Sequence, residues 1–142
     1  PLSWSKGSDP EPINWYAGKQ YDDCFGAAHD VLDNFDKEFP HWQGRGYEVE
    51  GFVWWQGDKD RYNEAHAVHY EKNLVRLIKT LRGEFKAPNA KFVVATLGQT
   101  ARGAPPGNEK LILDGQLAVD GASGKYPEFR GNVATVYTHP LS

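Results

Sequence analysis

Residues 49–60 have the sequence VEGFVWWQGDKD, and this stretch decides the fold. The four residues from Phe52 to Trp55 are apolar on both faces of a predicted strand, a pattern typical of strands buried in parallel sheets. The polar turn that follows, from Gln56 to Asp60, contains a glycine. Ligands of open α/β sheets bind outside the carboxyl ends of the strands, so this turn is predicted to lie at a ligand-binding edge.

Helical and strand patterns alternate along the rest of the chain. The helices have apolar residues at helical spacing and are predicted at 21–39, 63–85 and 108–120. The strands are predicted at 49–55, 91–97 and 132–137, with a long Gly- and Pro-containing loop at 98–107. Such alternation favours parallel strands joined by right-handed crossovers. The predicted fold class is α/β, a three-layer α-β-α fold with about three strands of its parallel sheet in this chain.

The two ends of the sequence indicate a piece of a larger domain. The 142 residues contain no Met, begin with Pro1 and stop directly after the last predicted strand. Residues 1–20 lack periodicity and are predicted to form an irregular segment. Residues 21–142 are predicted to be the central to C-terminal part of one domain, so we expect the chain to be a fragment.

Composition excludes several classes of partner and site. The 16 basic and 19 acidic residues give a net charge of −3 without a run of Lys or Arg, so no nucleic-acid partner is predicted. No apolar stretch approaches the roughly 20 residues that cross a bilayer, so no membrane partner is predicted. The single cysteine, Cys24, excludes an internal disulfide and a cysteine-based zinc site. It is predicted to be a small core residue, and it leaves the compartment open, an exported or periplasmic one included.

The turn after the first strand contains the candidate site residues. The Gln56 amide can donate a hydrogen bond to a developing oxyanion, and Gly57 allows a substrate to approach the backbone closely. Asp58 and Asp60 can orient a histidine, pair with a base or cap the next helix. A simple strand-to-helix turn with capping acids explains the same residues, and spacing alone leaves both interpretations open.

Residues 51–60, with the sequence GFVWWQGDKD, resemble the W-x-Q-G-E-S-D block of the sialate O-acetylesterase and acetylxylan esterase domain. That family belongs to the SGNH (GDSL-like) hydrolases. The helix at 70–85, the strand at 92–97 and the Gln99 that follows are also similar to the family's. The chain departs from the block at its acid, because Asp58 stands where the family usually has Glu. The shorter side chain retracts the carboxylate by about 1.5 Å.

The resemblance implies a flavodoxin-like sheet and a carbohydrate O-acetylesterase that needs no cofactor. Acetylated carbohydrate is the implied substrate, hydrolysed by a Ser nucleophile, a His base, an orienting acid and an oxyanion hole. Gln56, Gly57, Asp58 and Asp60 are the residues implied to bind the oxyanion and the substrate.

The family's nucleophile and base are not matched in this sequence. Ser123 follows a predicted helix rather than a strand, so we do not expect it to be the nucleophile. His139 follows the last strand, but Val136 stands three residues before it, where the family has Asp. We therefore expect both groups to lie outside these residues and the chain alone to be inactive. The alternative is a noncatalytic α/β module that binds carbohydrate or a partner protein.

Two further features allow more than one interpretation. Trp54 and Trp55 point to opposite sides of their strand, so we expect one in the core and the other beside a sugar-binding cleft. His66 and His69 are three residues apart on a predicted helix, as in a metal-binding pair, but a surface pair is commoner. No metal site is predicted.

The resemblance also bears on the strand at 49–55. In a flavodoxin-like sheet the strand that pairs with it would be missing from this chain, which leaves a row of unpaired backbone groups that proteins normally protect. We expect these residues to pair with a neighbouring chain, to be covered by residues 1–20, or to be completed by residues outside the sequence.

Overall fold

The structure, a computed structural model, describes residues 18–42 and 44–141. The chain divides into two compact units, of which the first ends at Glu48 and the second begins at Val49. The predicted irregular segment lies outside the described residues up to residue 17, and the first helix begins at Lys19.

The first unit contains two helices where the sequence predicts one. Helix α1 spans Lys19–Asp33 and helix α2 spans Phe35–Glu38, followed by a 3-10 turn at Pro40–Trp42. The break lies at Asn34, whose side-chain Nδ2 donates a 2.8 Å hydrogen bond to the carbonyl of Asp30. In a continuous helix the backbone N–H of residue 34 would use that carbonyl, so the side chain competes with the helix.

Helix α1 contains no buried residue, which makes the prediction for Cys24 wrong. The apolar stripe does have helical spacing, and Tyr21 and Phe25 stack with ring centroids 3.8 Å apart. A stripe becomes core only where another layer covers it, and periodicity alone cannot show that it is covered. Cys24 is an exposed free thiol rather than a small core residue.

The second unit is built on a parallel sheet, as predicted. Strands β1 (Gly51–Trp54), β2 (Lys91–Ala95) and β3 (Val133–Val136) lie in the order β1-β2-β3, and both neighbouring pairs are parallel. The fold class is thus α/β, with three strands in the described residues.

Three α-helices connect these strands. They are α3 (Glu64–Ala67), α4 (Tyr70–Glu84) and α5 (Asn108–Ala118). The predicted helix at 63–85 is divided because the N–H of His69 bonds the carbonyl of His66, a tight i→i−3 turn between α3 and α4. Periodicity predicts one helix because Ala67, Tyr70 and Leu74 keep helical spacing across this turn.

The core of the second unit lies on one face of the sheet. Phe52 is paired in register with Phe92, which is paired with Val133, so all three side chains share that face. Phe92 and Val133 are buried, and the ring of Phe52 packs 5.6 Å from that of Phe85 at the end of α4. The helices of this unit therefore cover the face that carries these aromatic residues.

The other face is open along β1, contrary to the prediction of a strand buried on both faces. Val53 is 78% exposed and Trp55 is 74% exposed. Apolar residues on both faces of a strand allow other elements to pack on both faces of the sheet. In this unit the helices pack on one face only. Trp54 is half-buried on the core side, so the two tryptophans do point to opposite faces.

Strand β1 forms one edge of the sheet. Among the described residues it pairs with β2 alone, so one row of its backbone groups faces away from the sheet. That a neighbouring chain or residues outside the sequence cover this edge of β1 stays a prediction. The third predicted cover, residues 1–20, lies outside the described residues up to residue 17. In residues 18–42 and 44–141, no helix has both the length and the apolarity that crossing a membrane requires.

Candidate functional site

The candidate site lies where the three parallel strands end. Gln56 follows β1, Gln99 follows β2 and His139 follows β3. The carboxyl ends of parallel strands meet at one edge of a sheet, which brings these three segments to the same side of the second unit.

The side chain of Gln56 is held by Asp60. Its amide Nε2 donates a 2.6 Å hydrogen bond to Oδ2 of Asp60 at the start of the next 3-10 turn. A carboxylate only accepts hydrogen bonds, so the atom facing Asp60 must be the amide nitrogen. Nε2 carries two hydrogens, and the bond to Asp60 uses one of them. The arrangement fixes the amide plane and leaves a second donor that can point at a substrate oxygen.

Gly57 is a buried glycine in a backbone conformation that other residues rarely adopt. Its φ is +141°, and a Cβ built there would lie 2.9 Å from Cγ2 of Ile112. The same Cβ would lie 3.3 Å from the Tyr70 hydroxyl and 3.4 Å from Cδ1 of Leu97. The turn after β1 therefore requires glycine both for its backbone angle and for close packing against α4 and α5.

Asp58 pairs with a base, one of the three roles that the sequence allows. Its Oδ1 accepts a 2.9 Å hydrogen bond from Nε of Arg61 and lies 3.4 Å from Nε2 of Gln99. Arg61 also donates to Oε1 of Glu109 at 2.5 Å, and that bond is the main reason why the pKa of Arg61 is raised. Asp58 is therefore part of an ion-pair cluster that ties the turn to helix α5. The cap of α3 is Asn63, whose side chain accepts from the N–H of Ala65.

A buried polar network beneath the turn is a feature that sequence reasoning missed. The hydroxyl of Tyr70 donates to the carbonyl of Gln56 at 2.5 Å, and Nε2 of Gln116 donates to the same carbonyl at 3.0 Å. Oε1 of Gln116 accepts from the N–H of Leu97 at 3.3 Å. Gln116 is fully buried and Tyr70 is 5% exposed. The available signal is a glutamine four residues after Ile112, on the apolar side of helix α5.

A cavity of about 200 Å³ opens beside this network. Its lining combines apolar side chains with the polar pair of the turn: Trp54, Gln56, Asp60, Tyr70, Asn73, Leu74 and Leu77. Most of these residues belong to β1, the turn after it and helix α4. The Gln56–Asp60 pair thus lies at the wall of a small concave surface of the second unit.

The remaining residues that the sequence analysis considered for a nucleophile, a base or a metal site lie in different parts of the second unit. His139 lies at the same edge as Gln56, and its Nδ1 is 2.6 Å from the carbonyl of Gly98. Ser123 lies in the turn between α5 and β3, at the opposite end of β3, where its hydroxyl donates to the carbonyl of Ala118 at 2.8 Å. His66 lies within the short helix α3, and His69 directly precedes helix α4. In the described ranges no group of three His, Cys, Asp or Glu side chains could hold a metal ion.

Comparisons with known proteins bear on the family and the fold of the chain. The sequence model of a family described as carbohydrate esterase, sialic acid-specific acetylesterase, matches residues 3–127. An Arabidopsis thaliana protein of known crystal structure is similar in fold, with a TM-score of 0.50 and 22% sequence identity over 76% of this chain. The chain spans 40% of the length of that structure. No curated protein matches the sequence significantly.

Proposed function

Because the chain belongs to the carbohydrate esterase family of sialic acid-specific acetylesterases, we propose that it forms part of an enzyme that removes O-acetyl groups from carbohydrates. The observation that carries the proposal is the side-chain amide of Gln56 at the carboxyl end of β1. Its Nε2 donates a 2.6 Å hydrogen bond to Oδ2 of Asp60 and has a second N–H that can bind a substrate oxygen. A preorganised donor of this kind stabilises an oxyanion without reorganising during the reaction.

The proposed reaction is acyl transfer through a covalent intermediate. A serine hydroxyl attacks the acetyl carbonyl while a histidine takes its proton, and the carbonyl oxygen becomes the oxyanion that Gln56 stabilises. Collapse expels the sugar hydroxyl, which recovers the proton, and water then releases acetate from the serine. Asp60 would hold the Gln56 amide in place, and Gly57 would keep the turn packed against α4 and α5.

The nucleophile and the base would come from residues beyond these 142. No histidine of the sequence stands three residues after an aspartate, and Ser123 lies in a turn before β3 rather than after a strand. We also propose that the free edge of β1 is completed by such residues or by a neighbouring chain. A parallel strand added there would end beside Gln56, which would bring its own terminal turn to the candidate site.

Acetate release by two polypeptides tests the proposal. The natural full-length polypeptide that contains these residues should release acetate from O-acetylated sialic acid or acetylated xylo-oligosaccharide. The 142-residue chain alone should not exceed the blank, because an oxyanion donor without a nucleophile cannot supply covalent catalysis. Activity of the short chain that disappears in His139→Ala would contradict the assignment of the base to other residues.

The alternative, a noncatalytic module that binds carbohydrate or a partner protein, is favoured by one observation. Trp55 exposes 74% of its surface directly before Gln56, as expected of a ring on which a sugar can stack. A full-length polypeptide that binds an acetylated oligosaccharide in calorimetry but releases no acetate from any ester would support this alternative and contradict the esterase.

A further inference from the structure

Gln116 joins the ends of two strands through one fully buried side chain. Its Nε2 donates to the carbonyl of Gln56 after β1, and its Oε1 accepts from the N–H of Leu97 after β2. Its own backbone carbonyl accepts from Oγ1 of Thr135 in β3 at 2.7 Å. Buried amides keep such bonds because an unpaired polar group in a dry interior is costly. Gln116 therefore determines where the segments after β1 and β2 lie relative to each other.

Tyr70 donates the second hydrogen bond to the Gln56 carbonyl. Its hydroxyl donates to that oxygen at 2.5 Å and lies 3.2 Å from Nε2 of Gln116. Burial raises the pKa of Tyr70, so the phenol stays protonated and remains a donor. The Gln56 carbonyl thus receives two hydrogen bonds from two different helices.

These bonds fix a peptide group, and the peptide group fixes a side chain. The Gln56 carbonyl belongs to the peptide that joins it to Gly57, whose φ of +141° is closely surrounded. With the backbone held on that side and the amide held by Asp60 on the other, the Gln56 side chain has little freedom. A donor is effective in catalysis when its position does not fluctuate relative to the reacting atom.

We propose that Tyr70 and Gln116 are positioning residues, which hold the Gln56 peptide so that its side-chain amide points constantly at the substrate oxygen. Neither touches the reacting atoms, and both act through Gln56. This inference rests on the proposed esterase function and adds two residues to its machinery.

A double-mutant cycle in the full-length polypeptide tests the inference. Tyr70→Phe removes the hydroxyl and keeps the ring, and we expect kcat for acetate release to fall about 5- to 30-fold with KM within about twofold. In a Gln56→Ala background the same change should lower kcat less than about twofold, because the residue through which it acts is gone. Tyr126→Phe is the matched control, since it removes a hydroxyl that donates to Glu71 and should leave kcat unchanged.

The outcomes separate this inference from the esterase proposal. A large effect of Gln56→Ala with an equal effect of Tyr70→Phe in both backgrounds contradicts positioning and leaves the esterase role of Gln56 intact. No effect of Gln56→Ala contradicts both. If Tyr70→Phe does not fold, Gln116→Glu provides the same test, because a buried carboxyl can donate to the Gln56 carbonyl only when protonated. The kcat of Gln116→Glu should fall relative to the wild-type kcat as the pH rises. A ratio of the two kcat values that does not change with pH would contradict the inference.

Discussion

Replacement of Gly57 by alanine should destabilise the second unit severely. The new methyl group would lie 2.9 Å from Cγ2 of Ile112, a side chain that is 1% exposed. Overpacking of a buried core costs about 1–3 kcal/mol. The φ of +141° adds about 1–3 kcal/mol, because side chains with a Cβ rarely adopt this backbone conformation. We expect the free energy of unfolding to fall by about 2–6 kcal/mol.

Urea denaturation followed by tryptophan fluorescence measures this loss, and Gly83→Ala is the matched control. Gly83 lies within α4, has nothing within 4 Å of a built Cβ and has no positive φ. Alanine at that helical position should raise the free energy of unfolding by about 0.5–1 kcal/mol. A Gly57→Ala loss below about 0.5 kcal/mol, with wild-type fluorescence, would refute the packing and backbone reasons given for this glycine.

Two further predictions concern the opposite end of the sheet and the loop before β3. Arg82→Ala should lower the free energy of unfolding by about 1–3 kcal/mol in urea titrations, because the guanidinium donates to the carbonyls of Ala90 and Asn132. Arg82→Lys should recover less than half of this loss, because an ammonium group cannot make the same set of hydrogen bonds. Full recovery by lysine would contradict this role. The hydrogen bond to Glu71 raises the pKa of Tyr126 to about 12, so the folded state holds this proton more tightly than the unfolded chain does. Its stabilisation is complete below the usual pKa of about 10 and is lost as pH rises towards 12. Thermal unfolding across that window should show a smaller loss in Tyr126→Phe, and equal losses would exclude the bond as the cause.

The parallel sheet could be predicted because its signal is local. The apolar runs that became β1, β2 and β3 are short, and the helical patterns between them require crossover connections. Periodicity also shows which residues share a face, but not whether anything covers it. Apolar spacing therefore predicts buried positions for Cys24 and Val53, and both side chains are exposed.

The helix breaks and the buried network could not be read from periodicity. Asn34 ends α1 through a side-chain hydrogen bond, which apolar spacing does not register. The turn Gln56–Asp60 could be found because strand, glycine and polar residues are contiguous in sequence. Its supports could not, because Tyr70 is 14 residues and Gln116 is 60 residues from Gln56. Only the fold brings these three residues together.

The kcat of Gln56→Ala in the natural full-length polypeptide tests the central claim most directly. If the Gln56 amide is the oxyanion donor, kcat for acetate release should fall about 10²- to 10³-fold in a variant that keeps the wild-type fold. Gln56→Glu should show a similar loss, because a carboxyl there would share one proton with Asp60 and would have no second hydrogen to donate to the substrate oxygen. A change in kcat below about threefold in both folded variants would contradict the account and leave Gln56 as a residue of the turn alone.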